Sequence, residues 1–123
     1  MIELINISGQ QFYAFKTDEL IKVSNRKDKC AIIIDENNLA EFISRSIDLI
    51  RESVSQIIII GKNLNNVYPL LKEEKVLLIS ALSFEEAVTF SVLGVKLNSD
   101  VVYISNKKEV ELRKLLEFLS VEL

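Results

Sequence analysis

Residues 30–61, with the sequence CAIIIDENNLAEFISRSIDLIRESVSQIIIIG, decide the fold of this chain. Two uninterrupted apolar runs, 31–34 and 57–60, stand near its ends. Between them the apolar residues recur at helical spacing, at Leu39, Phe42, Ile43, Ile47, Ile50 and Val54. A continuous apolar run is typical of a strand that is covered on both faces of a sheet. The stretch therefore predicts a strand–helix–strand unit whose two strands are parallel.

The same alternation continues toward the C-terminus. Val76–Ile79 and Val101–Ile104 are two further apolar runs, and a stretch with helical spacing follows each of them. Segment 63–71, between the second and third runs, contains Pro69 and predicts a short helix or an irregular loop. The order from residue 31 is therefore β-α-β-α-β-α-β-α, which indicates a parallel sheet with helices on both faces.

The N-terminal residues have a different pattern. Met1–Ile7 and Gln11–Phe15 are short β-like runs on either side of Ser8-Gly9-Gln10, which predicts a hairpin. Residues 17–23 predict a third strand or a helical turn, and 24–29 form a polar linker. The predicted fold class is α/β, a single three-layer Rossmann-like domain over 1–123. It comprises a β-rich segment and linker over 1–29 and four βα units with a mainly parallel sheet over 30–123.

Three of the predicted helices share one start signal. Asn38–Glu41, Ser83–Glu86 and Asn106–Glu109 each place an N-cap residue three positions before a glutamate. The cap side chain accepts a hydrogen bond from an unpaired backbone N–H, and the glutamate reaches back to the cap. We therefore expect helices to begin directly after Asn38, Ser83 and Asn106.

The composition excludes several classes of function. The chain has 123 residues, no histidine and one cysteine, which excludes histidine-dependent triads, internal disulfides and cysteine-based zinc clusters. Its 15 basic and 18 acidic residues give a net charge of -3 with no basic cluster, so nucleic acid is not an expected partner. No apolar run approaches the roughly 20 residues that span a bilayer, so no membrane role is expected. We expect a cytoplasmic location and no cofactor.

Polar residues follow the predicted strands, at the edge where parallel sheets bind ligands. The candidate ligand-binding residues are Asp35, Gly61, Lys62, Asn63, Ser80 and Ser105. Helix caps and turns require the same residue types, so a purely structural role is the alternative. The turn after residue 60 contains Lys62 and no acidic residue, whereas the other turns are followed by glutamates. If an anion binds, we expect it at this turn.

No catalytic set is complete. Gly61 stands without the further glycines of a phosphate-binding loop, and Ser80 and Ser105 have no histidine to activate them. Asp35 and Glu36, with Ser105 or Asn106, are a possible divalent-cation set. Receiver-type phosphotransfer requires an aspartate at the end of a strand where this chain has Gly61. No catalytic residue and no metal ligand is therefore assigned, and the sequence favours a protein that is not an enzyme.

Residues 31–110 resemble the C-terminal domain of the Mur ligase family. The resemblance rests on the strand that ends in Ile60-Gly61, the Ala87-Val88 pair preceded by acidic residues, and the turn Ser99-Asp100 before a strand ending in Ser105. It also rests on the strand that ends in Ile34-Asp35. The resemblance implies a Rossmann-like fold in which Asp35, Gly61 and Ser105 are scaffold positions.

The same resemblance does not imply ligase activity. The family's ATP-binding central domain is not in this sequence, and Asn106-Lys107-Lys108 stands where the family has a Ser-Pro-Ala-like segment. A protein that uses this Rossmann-like fold without the ATP-binding domain, for binding or assembly, fits the sequence better than a ligase does.

Two hypotheses for the function follow. The first is a non-catalytic module that binds a protein partner or self-associates. Its basis is the lack of a complete catalytic set and a wide apolar stripe on the C-terminal helix, at Val110, Leu112, Leu115, Leu116, Phe118, Leu119, Val121 and Leu123. Such a stripe either docks on a second chain as well or is simply buried more deeply in the domain. The second is a small-molecule binder, for an anion or an amino-acid-like ligand, or a minor enzyme that uses the crevice at the strand ends.

Overall fold

The computed structural model describes residues 2–7, 9–15, 30–62, 68–71, 76–93, 101–105 and 109–122. In this part of the chain the strands are β1 (Ile2–Ile7), β2 (Gln10–Phe15), β3 (Cys30–Asp35), β4 (Val54–Ile60), β5 (Leu77–Ala81) and β6 (Val101–Ser105). The helices are α1 (Glu36–Ser53), α2 (Tyr68–Leu71), α3 (Phe84–Leu93) and α4 (Glu109–Glu122). The predicted α/β class and the βα order are confirmed. The segment 17–23 and the linker 24–29 lie outside the described residues.

One six-stranded sheet has the order β1-β2-β6-β3-β4-β5. All neighbouring pairs are parallel except β1 with β2, which form the predicted N-terminal hairpin. Gly9 makes the turn with φ of 90°, a backbone conformation that residues with a Cβ rarely adopt, and its N–H donates to Asn6 Oδ1 at 3.1 Å. Strand β2 then pairs with β6, so the hairpin extends the parallel sheet at one edge.

Side chains alternate between the two faces of the central strands. In β3, Ile32 and Ile34 pack in one apolar cluster with residues of α1, while Ala31 and Ile33 pack in a second cluster with residues of α3 and α4. This double burial explains why the strand has no polar residue before Asp35. The domain therefore has three layers, with α1 and Leu71 of α2 on one face of the sheet and α3 and α4 on the other.

Strand β5 departs from the prediction that all four apolar runs are covered on both faces. Leu77 is 45% exposed and Ser80 is exposed, because β5 is the edge of the sheet and has one strand neighbour. A second correction concerns Val54, which was assigned to the helical pattern. It is the first residue of β4 and is buried there beside Cys30 of β3.

A buried polar pair joins the hairpin to α3. Gln10 Nε2 donates to the Ser91 carbonyl oxygen at 2.9 Å, and Ser91 Oγ donates to Gln10 Oε1 at 3.1 Å. Both residues are buried, although 81 positions separate them in the chain. This reciprocal pair gives the start of β2 one defined position on the α3 face.

Gln56 of β4 has a buried side-chain amide whose hydrogen-bonding groups find no partner among the described residues. Its side chain is fully buried, and neither amide atom has a hydrogen-bond partner within the part of the chain that the structure describes. A buried amide that lacks partners costs about 1–3 kcal/mol of stability. Gln56 therefore lowers the stability of a strand that is otherwise apolar at its centre.

We expect Gln56→Met to raise the free energy of unfolding by about 1–3 kcal/mol, since methionine has a similar shape and no polar atom that needs a partner. Urea unfolding of the variant and the wild type measures the difference. Gln11→Met is the matched control, because Gln11 is only half-buried and should tolerate the change. A lower stability of the Gln56 variant would contradict the assignment of an uncompensated amide.

Candidate functional site

The centre of the sheet contains a topological switch point. The chain passes from β3 through β4 to β5 in one direction, and then returns so that β6 lies on the other side of β3. The helices that follow β3 and β6, α1 and α4, pack on opposite faces of the sheet, and a crevice is expected between the carboxyl ends of these two strands. Asp35 ends β3 and Ser105 ends β6, so the fold brings these two candidate residues to the crevice.

A cavity of about 140 Å³ occupies this crevice. Its lining residues are Ile33, Ile34, Asp35, Ile60, Phe84, Ile104 and Ser105. Sites for drug-sized ligands usually measure roughly 300–1,000 Å³, so this cavity has room for a small group only. Among the described lining residues most are apolar, and Asp35 and Ser105 carry the polar side chains.

Asp35 is engaged as the N-cap of α1. Its Oδ1 accepts hydrogen bonds from the Asn38 backbone N–H at 3.1 Å and from Asn38 Nδ2 at 3.1 Å. The second oxygen, Oδ2, accepts from Asn38 Nδ2 at 2.9 Å. The prediction that α1 begins after Asn38 is therefore wrong. The helix begins at Glu36, because Asp35 follows the strand directly and is itself a preferred cap residue.

We expect Asp35→Ala to lower the free energy of unfolding by about 0.5–2 kcal/mol, since the first turn of α1 loses its cap. The control is Asp48→Ala on the exposed surface of the same helix, where the 3.6 Å ion pair with Arg51 contributes little. Urea unfolding of the two variants measures the difference. Equal stabilities would show that the Asp35 carboxylate does not act as a cap.

Ser105 has a buried hydroxyl. The residue is 5% exposed, and its Oγ has no hydrogen-bond partner among the residues described here. The oxygen itself is shielded from solvent, so the hydroxyl is not presented to a molecule in the crevice. With the Asp35 carboxylate engaged by Asn38, the described polar groups at the switch point do not offer a ready ligand set; residues 106–108 lie outside the described part of the chain.

The other candidates lie at the ends of β4 and β5. Ser80 Oγ donates to the Gly61 carbonyl oxygen at 3.4 Å, and the Gly61 N–H donates to the Ala81 carbonyl oxygen at 3.1 Å. Lys62 is exposed beside this turn, and Asn63 lies outside the described residues. The described candidate residues therefore lie along one edge of the sheet, at the ends of the consecutive strands β6, β3, β4 and β5. Asp35 and Ser105 line the cavity, and Gly61 is bonded to Ser80.

An acidic side chain covers the turn at Gly61. A Cβ at this position would lie 2.5 Å from the carboxyl carbon of Glu36, so only a glycine allows that side chain to lie there. The turn's own residues include no acid, as the sequence shows, but the tertiary fold brings the Glu36 carboxylate to it from the end of β3. A carboxylate at this point disfavours an anion beside Lys62.

The start of α3 confirms Ser83 as the predicted cap, although Glu86 reaches back to Leu82 and not to the cap residue itself. The Glu86 N–H donates to Ser83 Oγ at 3.1 Å, and Glu86 Oε1 accepts from the Leu82 N–H at 3.5 Å. The first helical residue after this cap is Phe84, whose side chain lines the cavity. Sequence reasoning missed Phe84 as a site residue, although its position directly after a cap at a strand end was the available signal. The third predicted cap, Asn106, lies outside the described residues.

Comparison with known proteins adds no assignment. No family model matches the chain, and no curated protein is similar to it. The resemblance to the Mur ligase C-terminal domain therefore stays a prediction, as does the assignment of the six candidate residues to a ligand. Among the residues described here there is no group of three or more acidic or cysteine side chains suited to a metal ion. No helix in the same residues combines the length and the apolarity needed to cross a membrane.

Proposed function

We propose that this protein is a non-catalytic α/β module that self-associates through α4. The observation that carries the proposal is the solvent side of this helix. Val110 is 64% exposed, Phe118 is 63% exposed and Val121 is 85% exposed. The apolar residues on the opposite side of the helix, Leu112, Leu116 and Leu119, are already buried against the sheet. The apolar residues of α4 thus serve two surfaces.

Burial of these exposed side chains against a second copy supplies the driving force for association. Each square ångström of apolar surface removed from water contributes roughly 25 cal/mol. Phe118 matters most, because an aromatic side chain has the largest apolar area of the three and aromatic residues are enriched at the centres of protein interfaces.

The switch point supports a non-catalytic role. The Asp35 carboxylate caps α1, the Ser105 hydroxyl is shielded, and Cys30 is buried at the start of β3, at the end of the sheet opposite the cavity. The chain has no histidine that could activate a hydroxyl or a thiol. The small-molecule alternative would have to rely on apolar contacts in a cavity of about 140 Å³.

We expect the mass of the wild-type protein, measured by size-exclusion chromatography with light scattering, to rise toward that of a dimer from about 10 µM to about 1 mM. Phe118→Asp should stay monomeric over this range, because a buried unpaired charge opposes association. The matched control is Leu93→Asp at the end of α3, which is similarly exposed, at 70%, and should associate as the wild type does. A wild-type protein that stays monomeric at every concentration would overturn the proposed function.

A further inference from the structure

The outermost residues of α4 form a stripe of defined spacing. Val110, Lys114, Glu117 and Val121 are all exposed, and they follow one another at intervals of four, three and four residues. At 100° per residue these positions fall within an arc of about 60° on the helix. The arc lies opposite the buried leucines, Leu112, Leu116 and Leu119. We call these four residues the α4 stripe.

This spacing is that of a coiled-coil seam, in which alternate steps of four and three residues keep one face toward a partner helix. The α4 stripe has valines at its two ends and a lysine and a glutamate between them. Its order of residue types is the same in both directions, except that the two charges exchange places. A helix with this pattern is complementary to an antiparallel copy of itself.

We propose that two copies of this chain pair through antiparallel α4 helices, an inference that rests on the proposed self-association. The two-fold axis of the pair lies level with the Leu115–Leu116 bond. In this register each Val110 lies opposite Val121 of the second copy. Each Lys114 lies opposite Glu117 of the second copy, so the two-fold axis generates two identical pairs of opposite charge. The interface is isologous and closes at two copies.

A parallel arrangement does not satisfy the same residues. In a parallel pair each side chain meets its own equivalent, so Lys114 faces Lys114 and Glu117 faces Glu117. Like charges at an interface disfavour association, so the parallel arrangement is disfavoured and the antiparallel register is preferred. Phe118 is one residue beyond Glu117 and flanks the stripe, where it adds apolar area without a charge.

The charge pattern of the α4 stripe specifies a second copy of this chain as the partner that binds to it. Any other partner would have to present the complementary order of charges at the same spacing, whereas this chain presents it on the helix itself. The stripe extends about 16 Å along the helix, at 1.5 Å per residue. A contact of this length belongs to the small class of protein interfaces, so we expect a weak, concentration-dependent dimer.

Charge exchange at the α4 stripe tests the inference. Sedimentation velocity at low ionic strength, where surface charges are least screened, gives the dissociation constant of each variant. Lys114→Glu and Glu117→Lys should each raise this constant about tenfold, because each creates two repulsive contacts. The double variant Lys114→Glu/Glu117→Lys should return within about threefold of the wild type, since opposite charges face each other again.

Two controls change the same charges elsewhere. Lys62→Glu and Glu52→Lys alter exposed residues away from α4 and should leave the dissociation constant unchanged. If the wild type dimerises and no charge variant in α4 alters the constant, the antiparallel α4 pair is wrong while the proposed self-association stands. If the single variants weaken the dimer and the double variant does not recover, the register is wrong. A wild type that never dimerises overturns both proposals.

Discussion

The variant Phe42→Ala is expected to lose about 3–5 kcal/mol of unfolding free energy, the usual cost of removing a fully buried phenylalanine. Phe42 of α1 is 0% exposed, and its ring lies 6.1 Å from the ring of Phe15 in β2. The loss is a large fraction of the roughly 5–15 kcal/mol by which a domain of ordinary stability is folded. Urea unfolding at low protein concentration measures it.

Phe118→Ala is the matched control for this prediction. It makes the same chemical change in α4, where the ring is 63% exposed and supports little of the monomer's core. We expect its unfolding free energy to stay within about 0.5 kcal/mol of the wild type in dilute solution. Equal losses at the two positions would mean that Phe118 is buried in the isolated chain, and this would also contradict the exposed surface on which self-association rests.

The variant Gln10→Met is expected to lose about 1–3 kcal/mol, because it removes both hydrogen bonds to Ser91 and leaves the Ser91 hydroxyl without its acceptor in the protein interior. Methionine keeps the length of the side chain, so the loss of packing is small. The same urea experiment measures the effect, and Gln11→Met is again the control.

A double-mutant cycle with Ser91→Ala isolates the hydrogen bond between the two side chains, since the Ser91 carbonyl oxygen that accepts from Gln10 Nε2 is kept. The two single variants should lose more in sum than the double variant loses, because the two side chains act on one interaction. Additive losses would show that Gln10 and Ser91 contribute independently. Gln10→Met and Gln56→Met are expected to have opposite signs although the chemical change is the same, since only Gln10 has partners for its amide.

The strand-end rule predicted the placement of two candidate residues correctly. It placed Asp35 and Ser105 at the carboxyl ends of strands, and the structure brings both to one cavity. It did not show which of the described candidates line this cavity, because that depends on the position of β6 beside β3. The position of Glu36 over Gly61 could not be predicted from the sequence either, since this contact joins residues at the ends of two different strands.

Cap residues show the limit of local patterns. The signal at Ser83 was correct, because the side chain of Ser83 and that of Glu86 both act within one turn of helix. The signal at Asn38 was displaced by three residues, because Asp35 can also cap and the strand runs directly into the helix. Asp35 and Asn38 are both suited to cap α1, and the helix uses Asp35 because β3 ends at that residue.

The wide apolar pattern on α4 left two alternatives open, a helix that is buried deeply and a helix that also serves a second surface. The structure assigns Leu112, Leu116 and Leu119 to the core and leaves Val110, Phe118 and Val121 exposed. Only this division reveals that the outermost positions form a self-complementary stripe.

The sequence by itself determined the elements, their order and the mainly parallel sheet, because apolar periodicity and turn residues act over a few neighbouring positions. Only the tertiary structure decided that β6 lies between β2 and β3, with Gln11 beside Val101, and that β5 forms an edge. These pairings join residues far apart in the chain, and local patterns carry no information on which strands meet. The cavity, the burial of Gln10 and the exposed side of α4 all follow from that order.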